Sequence, residues 1–554
     1  MAIKCAVIKQ AAFRQVLLNP DFTGNANNWS IGTGWVYGSN RLNATNATGD
    51  VSQTVAPLTA GVTYRVCFSL ANVTKNGVQI VCGTTLGINS SVGGTYYETI
   101  VSDGTGFKFQ CVNADGEPAQ FTGRLDAVYC VPLTETFTKS GFGTVIAAKF
   151  TLGQTHIDGT EQGDASIGRG FTDGTQNYCL MGTSEGLVST TDSYRRISNT
   201  KCIGLISSAD GTLLAGAAFS SFPTDGVTIV WDDTIFTLCT PAEIPIMTIE
   251  IFGGTDPQGQ IQAYAGTYSF TATGSGDETP HVDVGPHPHW EPDIVESLYC
   301  ESAAAFDTTY NGLRLSIGFA DNGDSITQSS LNMTSVDAVS TSSLVNQVST
   351  AYLARPAALD ATYAIEVTGF DATGFTLSTT TLTSGIGAFL AFKLNGFAGH
   401  WCGIAGILYI GGTNALSITP LMSGGFTPQF MELLLSGSSA KDSDNTTDAT
   451  GAGSFGVSVF DASASNTNLI RDADNVGTTL TATLQESKPI VNWLGSGTIL
   501  HRATDPSFSP GYVSFTWATT NSTDRYCPAM AIGEYAGTAV KDVISGHGVI
   551  PFAR

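Results

Sequence analysis

The sequence contains few charged residues and almost nothing that could form a surface helix. Charged residues make up 13% of its 554 residues. No stretch combines a 3.6-residue apolar period with the Ala, Leu, Glu and Lys content that surface helices favour. These two features disfavour helical bundles. The length exceeds what one core supports, so we expect three to five domains.

Basic residues are scarce as well. The chain has 24 lysines and arginines against 47 aspartates and glutamates, a net charge of −23. Such a field repels phosphate backbones, so we expect no nucleic-acid partner. The opening MAIKCAVIKQAAFRQ is interrupted by Lys, Gln and Arg. It lacks the continuous apolar core of a secretory signal, and we expect no export by that route.

The 11 cysteines include no CxxC pair. Zinc ribbons and thioredoxin-type motifs are therefore disfavoured, and scattered cysteines on strand-like segments are typical of small buried hydrophobic residues. Disulfides stay an alternative outside a reducing cytosol, with Cys67, Cys82, Cys111 and Cys130 as the candidates.

One long apolar run, residues 385–412, reaches the length of a membrane-spanning helix. Lys393 interrupts it, glycines are dense, and two short β-like stretches flank a loop. We therefore predict buried strands and no membrane span.

Motifs of catalysis are missing too. There is no GxSxG, HExxH or Walker-type loop. Asp232 and Asp233 are neighbours, and neighbours in a strand point to opposite faces, so they cannot flank one scissile bond. His281, His287 and His289 stand among prolines, which favours a connecting loop over a metal site. We expect no enzyme.

What the sequence has in abundance is Gly (63 residues), Ser and Thr. Together with alternating apolar positions such as Val227, Ile229 and Trp231, this composition predicts many short strands joined by tight turns. The predicted fold class is all-β.

A duplicated pattern divides the second part of the chain. Asp173 in GFTDG lies 53 residues before Gly226, and Asp321 in GFADNG lies 53 residues before Gly374, so both marks shift by 148 residues. A diverged third copy surrounds Asp461. We predict three tandem antiparallel β-sandwich repeats at 136–254, 255–400 and 401–554, preceded by a separate domain at 1–135.

The stretch from GRGFTDG through TKC and ADGT to FPTDGVTIVW, within residues 168–231, resembles a domain that recurs in bacteriophage virion proteins. The likeness is close in the first repeat, moderate in the second and only in outline in the third. It implies a structural virion component and brings no catalytic residues.

The first domain carries LLNPDF, a Trp several residues on, LTAGVTYRVCF and GRLDAVYCVPL. This pattern resembles the carbohydrate-binding jelly rolls that are also found in phage tail proteins. The resemblance implies an N-terminal jelly-roll β-sandwich and a structural Ca²⁺ held by Asn19, Asp21 and Asp126. The alternative is that Asn19 and Asp21 shape a turn and Asp126 faces solvent.

Glycan binding would need exposed rings on which a pyranose can stack. The available rings are those of Trp29, Trp35, Tyr37, Tyr96 and Tyr97. Trp29 and Trp35 match positions that usually fill the sandwich core. Tyr96 and Tyr97 are adjacent, so one of them should point outward from a strand.

These observations predict a non-enzymatic phage virion protein, displayed on the particle surface after assembly in the host cytoplasm. We expect a tail-associated appendage, sheath or fibre with adhesion to a host glycan; capsid decoration or a head fibre is the alternative. The expected partners are other virion proteins and further copies of the chain. The alternatives from other functional classes are a polysaccharide-active enzyme and a non-viral bacterial adhesin.

Overall fold

A computed structural model describes most of the chain. Outside the described residues lie 1–2, 12–14, 54–56, 155–157, 187–191, 233–244, 255–260, 271–289, 302, 324, 336–342, 349–352, 355–363, 373, 380–383, 396–398, 408–425, 437–442, 445–451, 474–480, 494–498, 511, 520–524 and 534–554. Every regular element among the described residues is a β-strand, and the named strand pairs are antiparallel. The all-β prediction is confirmed, including its β-sandwich character.

The first sandwich consists of two five-stranded sheets. In chain order its strands are β2 (Trp29–Ile31), β3 (Trp35–Tyr37), β4 (Leu42–Ala47), β5 (Val51–Gln53), β6 (Thr63–Lys75), β7 (Gly77–Cys82), β8 (Thr85–Ser90), β9 (Gly94–Val101), β10 (Phe107–Val112) and β11 (Phe121–Pro132). The sheet orders are β2-β5-β10-β7-β8 and β3-β4-β11-β6-β9. We call this region the N-terminal sandwich.

Three seven-stranded sheets make up most of the remaining chain. Sheet 1 runs β1 (Ile3–Ala11), β21 (Ile246–Gly254), β13 (Thr144–Gly153), β15 (Ala165–Thr172), β16 (Asn177–Ser184), β17 (Ser193–Ser198), β24 (Thr309–Asn311). Sheet 2 runs β22 (Gln262–Phe270), β31 (Gly385–Lys393), β23 (Ile294–Glu301), β25 (Leu313–Asn322), β26 (Ile326–Ser335), β27 (Ser343–Val348), β34 (Ser443–Asp444). Sheet 3 runs β32 (Gly399–Ile407), β41 (Arg525–Gly533), β33 (Phe430–Ser436), β35 (Ala452–Asp461), β36 (Ser465–Ala473), β37 (Ala482–Glu486), β14 (Gln162–Gly163).

A smaller sheet covers one face of each large sheet. The first small sheet contains β12 (Thr134–Thr138), β20 (Gly226–Trp231), β19 (Leu213–Ser221) and β18 (Ile203–Ile206). The second contains β28 (Leu353–Ala354), β29 (Ala364–Asp371) and β30 (Gly374–Thr379), and the third contains β38 (Ile490–Trp493), β39 (Ile499–Ser509) and β40 (Tyr512–Thr519). Each large sheet with its small sheet encloses its own apolar core. We call these three sandwiches units 1, 2 and 3.

The strand register makes the three units comparable residue by residue. Lys149 lies opposite Phe171, Glu296 opposite Phe319, and Glu432 opposite Val459. Phe171, Phe319 and Val459 each stand two residues before the aspartates that the sequence marks, Asp173, Asp321 and Asp461. Lys149, Glu296 and Glu432 therefore occupy equivalent places.

Strand β1 belongs to unit 1, although it precedes the N-terminal sandwich in the chain. It pairs with β21 from Ile3↔Gly254 to Ala11↔Ile246. The N-terminal sandwich is thus inserted between the edge strand and the rest of unit 1, whereas the expected division at residue 135 assigns β1 to the first domain. Residues 271–289 and 408–425, at the equivalent places of units 2 and 3, lie outside the described residues.

The second face of each large sheet packs into a core that all three units share. Successive side chains of a strand point to opposite faces of its sheet, so neighbouring residues enter different cores. On β13, Ala148 and Phe150 enter the core of unit 1, while Ala147 joins the shared core. Cys300 and Leu434 bring units 2 and 3 to the same shared core.

The apolar run at 385–412 supplies two strands, β31 and β32, in neighbouring sheets. No helix among the described residues is long and apolar enough to cross a membrane. The ten described cysteines are buried thiols without disulfides, in agreement with their predicted role as small apolar residues. Cys239 lies outside the described residues.

Candidate functional site

The repeated aspartate fastens each unit to the next. Asp173 Oδ1 accepts hydrogen bonds from the backbone of Thr175 and Gln176, which closes its own turn, and its Oδ2 accepts one from Ala265 N of β22 at 2.9 Å. Asp461 repeats this geometry. Its Oδ1 closes the turn at Ser463, and its Oδ2 accepts from Val7 N of β1 at 2.9 Å.

Register places Val7 and Ala265 at equivalent positions of the two edge strands, with Cys402 as the third. At that third junction Asp321 Oδ2 lies 3.3 Å from His400 Nδ1 on β32. Burial opposes protonation of the imidazole, but the adjacent Asp321 outweighs it and raises the pKa of His400. The three aspartates therefore link units 1, 2 and 3 in a closed cycle, two of them through a backbone N–H of an edge strand and the third through an imidazole.

The units also exchange short strands, and the direction of this exchange around the cycle is opposite to that of the aspartate contacts. Unit 2 contributes β24 to sheet 1, unit 3 contributes β34 to sheet 2, and unit 1 contributes β14 to sheet 3. Each short strand covers an edge that would otherwise expose unpaired backbone groups.

Five charged side chains meet where the three large sheets converge. They are Lys149 and Arg169 with Glu250, Glu296 and Glu432, which we call the central ionic cluster; none is more than 2% exposed. Lys149 Nζ lies 3.0 Å from Glu250 and 2.7 Å from Glu296, and it also contacts Glu432. Unit 1 provides both cations, and each unit provides one carboxylate.

Arg169 uses its planar fork to reach all three carboxylates. Its Nε lies 3.0 Å from Glu296 and its Nη2 lies 2.5 Å from Glu432, while Nη1 contacts Glu250 and donates to Thr151 Oγ1 at 2.8 Å. The planar guanidinium places its donors in fixed directions, so each of three partners receives a separate nitrogen.

Three carboxylates face only two cations in the cluster. Burial raises the pKa of Glu432 to about 8, and the neighbouring Glu250 and Glu296 add to that effect. Burial would also raise the pKa of Glu250, but Arg169 and Lys149 outweigh it and lower that pKa. The Glu432 carboxyl group therefore keeps its proton to a higher pH than an ordinary glutamate does, whereas Glu250 loses its proton at a lower pH.

An aromatic layer lies against the cluster. Phe252 packs on Phe392 and Phe430 with ring centroids 4.7 and 5.6 Å apart, so the three rings come from all three units. Lys149 Nζ lies 5.3 Å from the Phe252 centroid. The rings exclude water and present negative faces to the ammonium.

The predicted glycan-binding rings separate into a buried group and one exposed ring. Trp29 and Trp35 lie in the core of the N-terminal sandwich, where their indole nitrogens donate to Asn19 O and Gly49 O. Tyr37 and Tyr96 are partly buried against that core, and Tyr96 stacks on Phe68 with centroids 5.2 Å apart. Tyr97 is 43% exposed, with the Arg65 guanidinium 5.8 Å from its ring centroid.

The predicted calcium ligands are engaged in local contacts. Asn19 Nδ2 donates to Asn25 O, Asp21 accepts from the backbone and hydroxyl of Thr23, and Asp126 pairs with Arg124. Within the described part of the chain, no group of three His, Cys, Asp or Glu side chains is arranged to hold a metal ion. The contacts of Asn19 and Asp21 are those of a turn.

The two outer faces of the N-terminal sandwich differ. Cys67, Tyr129 and Val131, on the sheet that contains β6 and β11, pack into the core of unit 1. On the opposite sheet Gln110 Nε2 donates to Gln79 Oε1 at 3.0 Å, and Lys108 pairs with Asp50 at 2.7 Å. These groups are partly exposed, so the sandwich docks through one face and presents the other.

His281, His287, His289 and Asp233 lie outside the described residues. Asp232 pairs with Lys201 at the surface of unit 1. The central ionic cluster was missed, although a signal existed: Lys149, Glu296 and Glu432 each interrupt an apolar strand at one and the same place in the pattern.

No family model, curated protein or solved structure matches the chain.

Proposed function

We propose that the chain is a non-enzymatic structural protein of a phage virion, in which the three units form a rigid base and the N-terminal sandwich is an adhesion module for a host glycan. The observation that carries this proposal is the closed cycle of strand exchange and aspartate contacts. Such a cycle fixes three sandwiches relative to one another, as a particle component requires.

The docking of the N-terminal sandwich supports the adhesive part. One of its faces is anchored on unit 1, while Gln79, Gln110 and Lys108 line the other. Amide and charged side chains at fixed positions can bind the hydroxyl groups of a sugar. Repetition of the protein on a particle would convert weak contacts of this kind into avidity.

Immunogold electron microscopy of the virus particles, with a label against the N-terminal sandwich, tests the proposal. We expect label at the tail. Label spread over the head would instead identify a capsid decoration protein or head fibre. Absence of label from intact particles would contradict a virion role, and release of reducing ends from host polysaccharide would contradict a purely structural one.

A further inference from the structure

Two adjoining clefts lie at the junction between units 1 and 3, on either side of the turn that follows Asp461. One is bordered by the start of β1 and the loop at 139–142, the other by the end of β1, the turn at 487–489 and residues 504–506. Lys4 and Lys139 line the first cleft, and Lys9 and Lys488 line the second. In a chain of net charge −23, this gathering of lysines is the exception.

Acidic residues lie beside the lysines as well: Asp461 lies between the clefts, Asp505 lines the second, and Asp158 lies 3.2 Å from Lys9 Nζ. Asp461 is 7% exposed, and it accepts hydrogen bonds from Val7 N, from the backbone and hydroxyl of Ser463, and from Ala464 N. These donors stabilise its carboxylate. Lys139 Nζ lies 4.0 Å from Asp461 Oδ2 and donates to Ser463 Oγ at 2.6 Å.

The other two junctions show that the lysines are not needed to build this architecture. By register, Lys4 corresponds to Gln262 in unit 2 and Gly399 in unit 3, and Lys9 corresponds to Thr267 and Ile404. At those junctions the equivalent edge strands, β22 and β32, carry no positive charge at either position.

We propose that the clefts between units 1 and 3 bind an acidic saccharide, with the lysines pairing with its carboxylate or phosphate groups and the rim hydroxyls of Ser140, Ser465 and Thr504 binding its hydroxyl groups. This inference rests on the proposed adhesive function and adds a second contact surface to it. Lysine ammonium groups, as mobile point charges, suit anions spaced along a flexible polymer.

The test measures binding of the full-length protein to immobilised polygalacturonate, phosphomannan and neutral dextran at about 150 mM salt, where general electrostatic attraction is largely screened. We expect binding to an acidic polymer but not to dextran. Preference for polygalacturonate identifies carboxylates as the ligand groups, and preference for phosphomannan identifies phosphates.

The test variant is Lys4→Gln with Lys9→Thr, which installs the residues of the equivalent junction in unit 2. Lys75→Gln with Lys201→Gln removes the same charge at positions outside both clefts and outside the face lined by Gln79, Gln110 and Lys108, and it is the matched control. We expect at least a fivefold loss of affinity in the first variant and less than a twofold loss in the control. Lys488→Gln repeats the test if the first variant does not fold.

Equal losses in both double variants, or equal binding of acidic and neutral polymers, would overturn the proposed site. These outcomes are distinct from failure of the virion role. A protein that binds acidic polymer but is absent from particles keeps the site and loses the role, whereas a labelled particle whose protein binds no acidic polymer keeps the role and loses the site.

Discussion

The core of the N-terminal sandwich and the core shared by the three units differ in their buried charges. The core of the sandwich is made of apolar side chains such as Phe68, Phe109 and Trp29. The three units meet around a shared apolar core that also contains the central ionic cluster, and their junctions are closed by aspartates, of which Asp321 and Asp461 are buried. An apolar core tolerates rearrangement among residues of similar volume, whereas a buried charge is stable only with its partners in place. The comparison suggests that the charges select one arrangement of the three units.

The largest effect is expected when the cluster loses one of its two cations. Arg169→Met removes a group that contacts all three carboxylates and leaves Lys149 as the one cation among them. Breaking such a buried pair typically costs about 3–5 kcal/mol. We expect a large fall in the urea midpoint for unfolding of the units.

Arg65→Met in the N-terminal sandwich is the matched control. Arg65 donates to Thr99 Oγ1 at 2.9 Å at an exposed site, and surface contacts of this kind contribute about 1 kcal/mol or less. If the two substitutions shift the midpoint equally, the cluster does not hold the units together.

The proton on Glu432 makes the units sensitive to pH. The pKa of Glu432 is about 8 in the folded protein and 4.5 for an ordinary glutamate in the unfolded chain. Between these pH values the carboxyl group is therefore protonated more in the folded protein than in the unfolded chain. Stability is therefore lost as pH rises through this window, by about 2 kcal/mol between pH 6 and pH 8. Glu250, whose pKa is lowered, acts in the opposite direction and loses its contribution as pH falls below its unfolded pKa.

Urea titrations of the wild type and of Glu432→Gln at pH 6, 7 and 8 measure this effect. The amide keeps the size of the side chain without its ionisation. We expect the wild-type midpoint to fall toward pH 8 and the variant to lose less over the same range. A wild-type profile that rises across this range would contradict a protonated Glu432.

The fold class can be predicted from the sequence, because the alternation of apolar and polar residues and the choice of turn residues act locally. It also marks Asp173, Asp321 and Asp461, but it does not reveal that these residues contact the neighbouring unit, since the partner Ala265 lies 92 residues from Asp173. The equivalent places of Lys149, Glu296 and Glu432 can be seen along the chain, but the meeting of the three side chains cannot. Each is a lone charge in an apolar strand, and only the convergence of the three sheets pairs them.

A smaller effect is expected from the aspartate contacts between units. Asp461→Ala leaves the buried Val7 N–H without its acceptor and opens the turn, at a cost of about 1–3 kcal/mol. Asp210→Ala is the control, because Asp210 closes its own turn by accepting from Thr212 N at 3.0 Å and from Thr212 Oγ1 at 2.8 Å. Hydrogen exchange at Val7 reports the difference: we expect faster exchange in Asp461→Ala only, and unchanged exchange would show that another group holds β1.

The smallest effect on stability is expected at the exposed ring of the N-terminal sandwich. Tyr97→Ser removes a ring that is 43% exposed and should cost less than about 1 kcal/mol, while Tyr96→Ser removes one that stacks on Phe68 and whose hydroxyl donates to Val92 O at 2.6 Å. We therefore expect a clear fall in the melting temperature for Tyr96→Ser alone. If Tyr97 contacts a host glycan, Tyr97→Ser weakens retention on that glycan without a change in melting temperature. Unchanged retention would exclude this ring and direct attention to the face lined by Gln79 and Gln110.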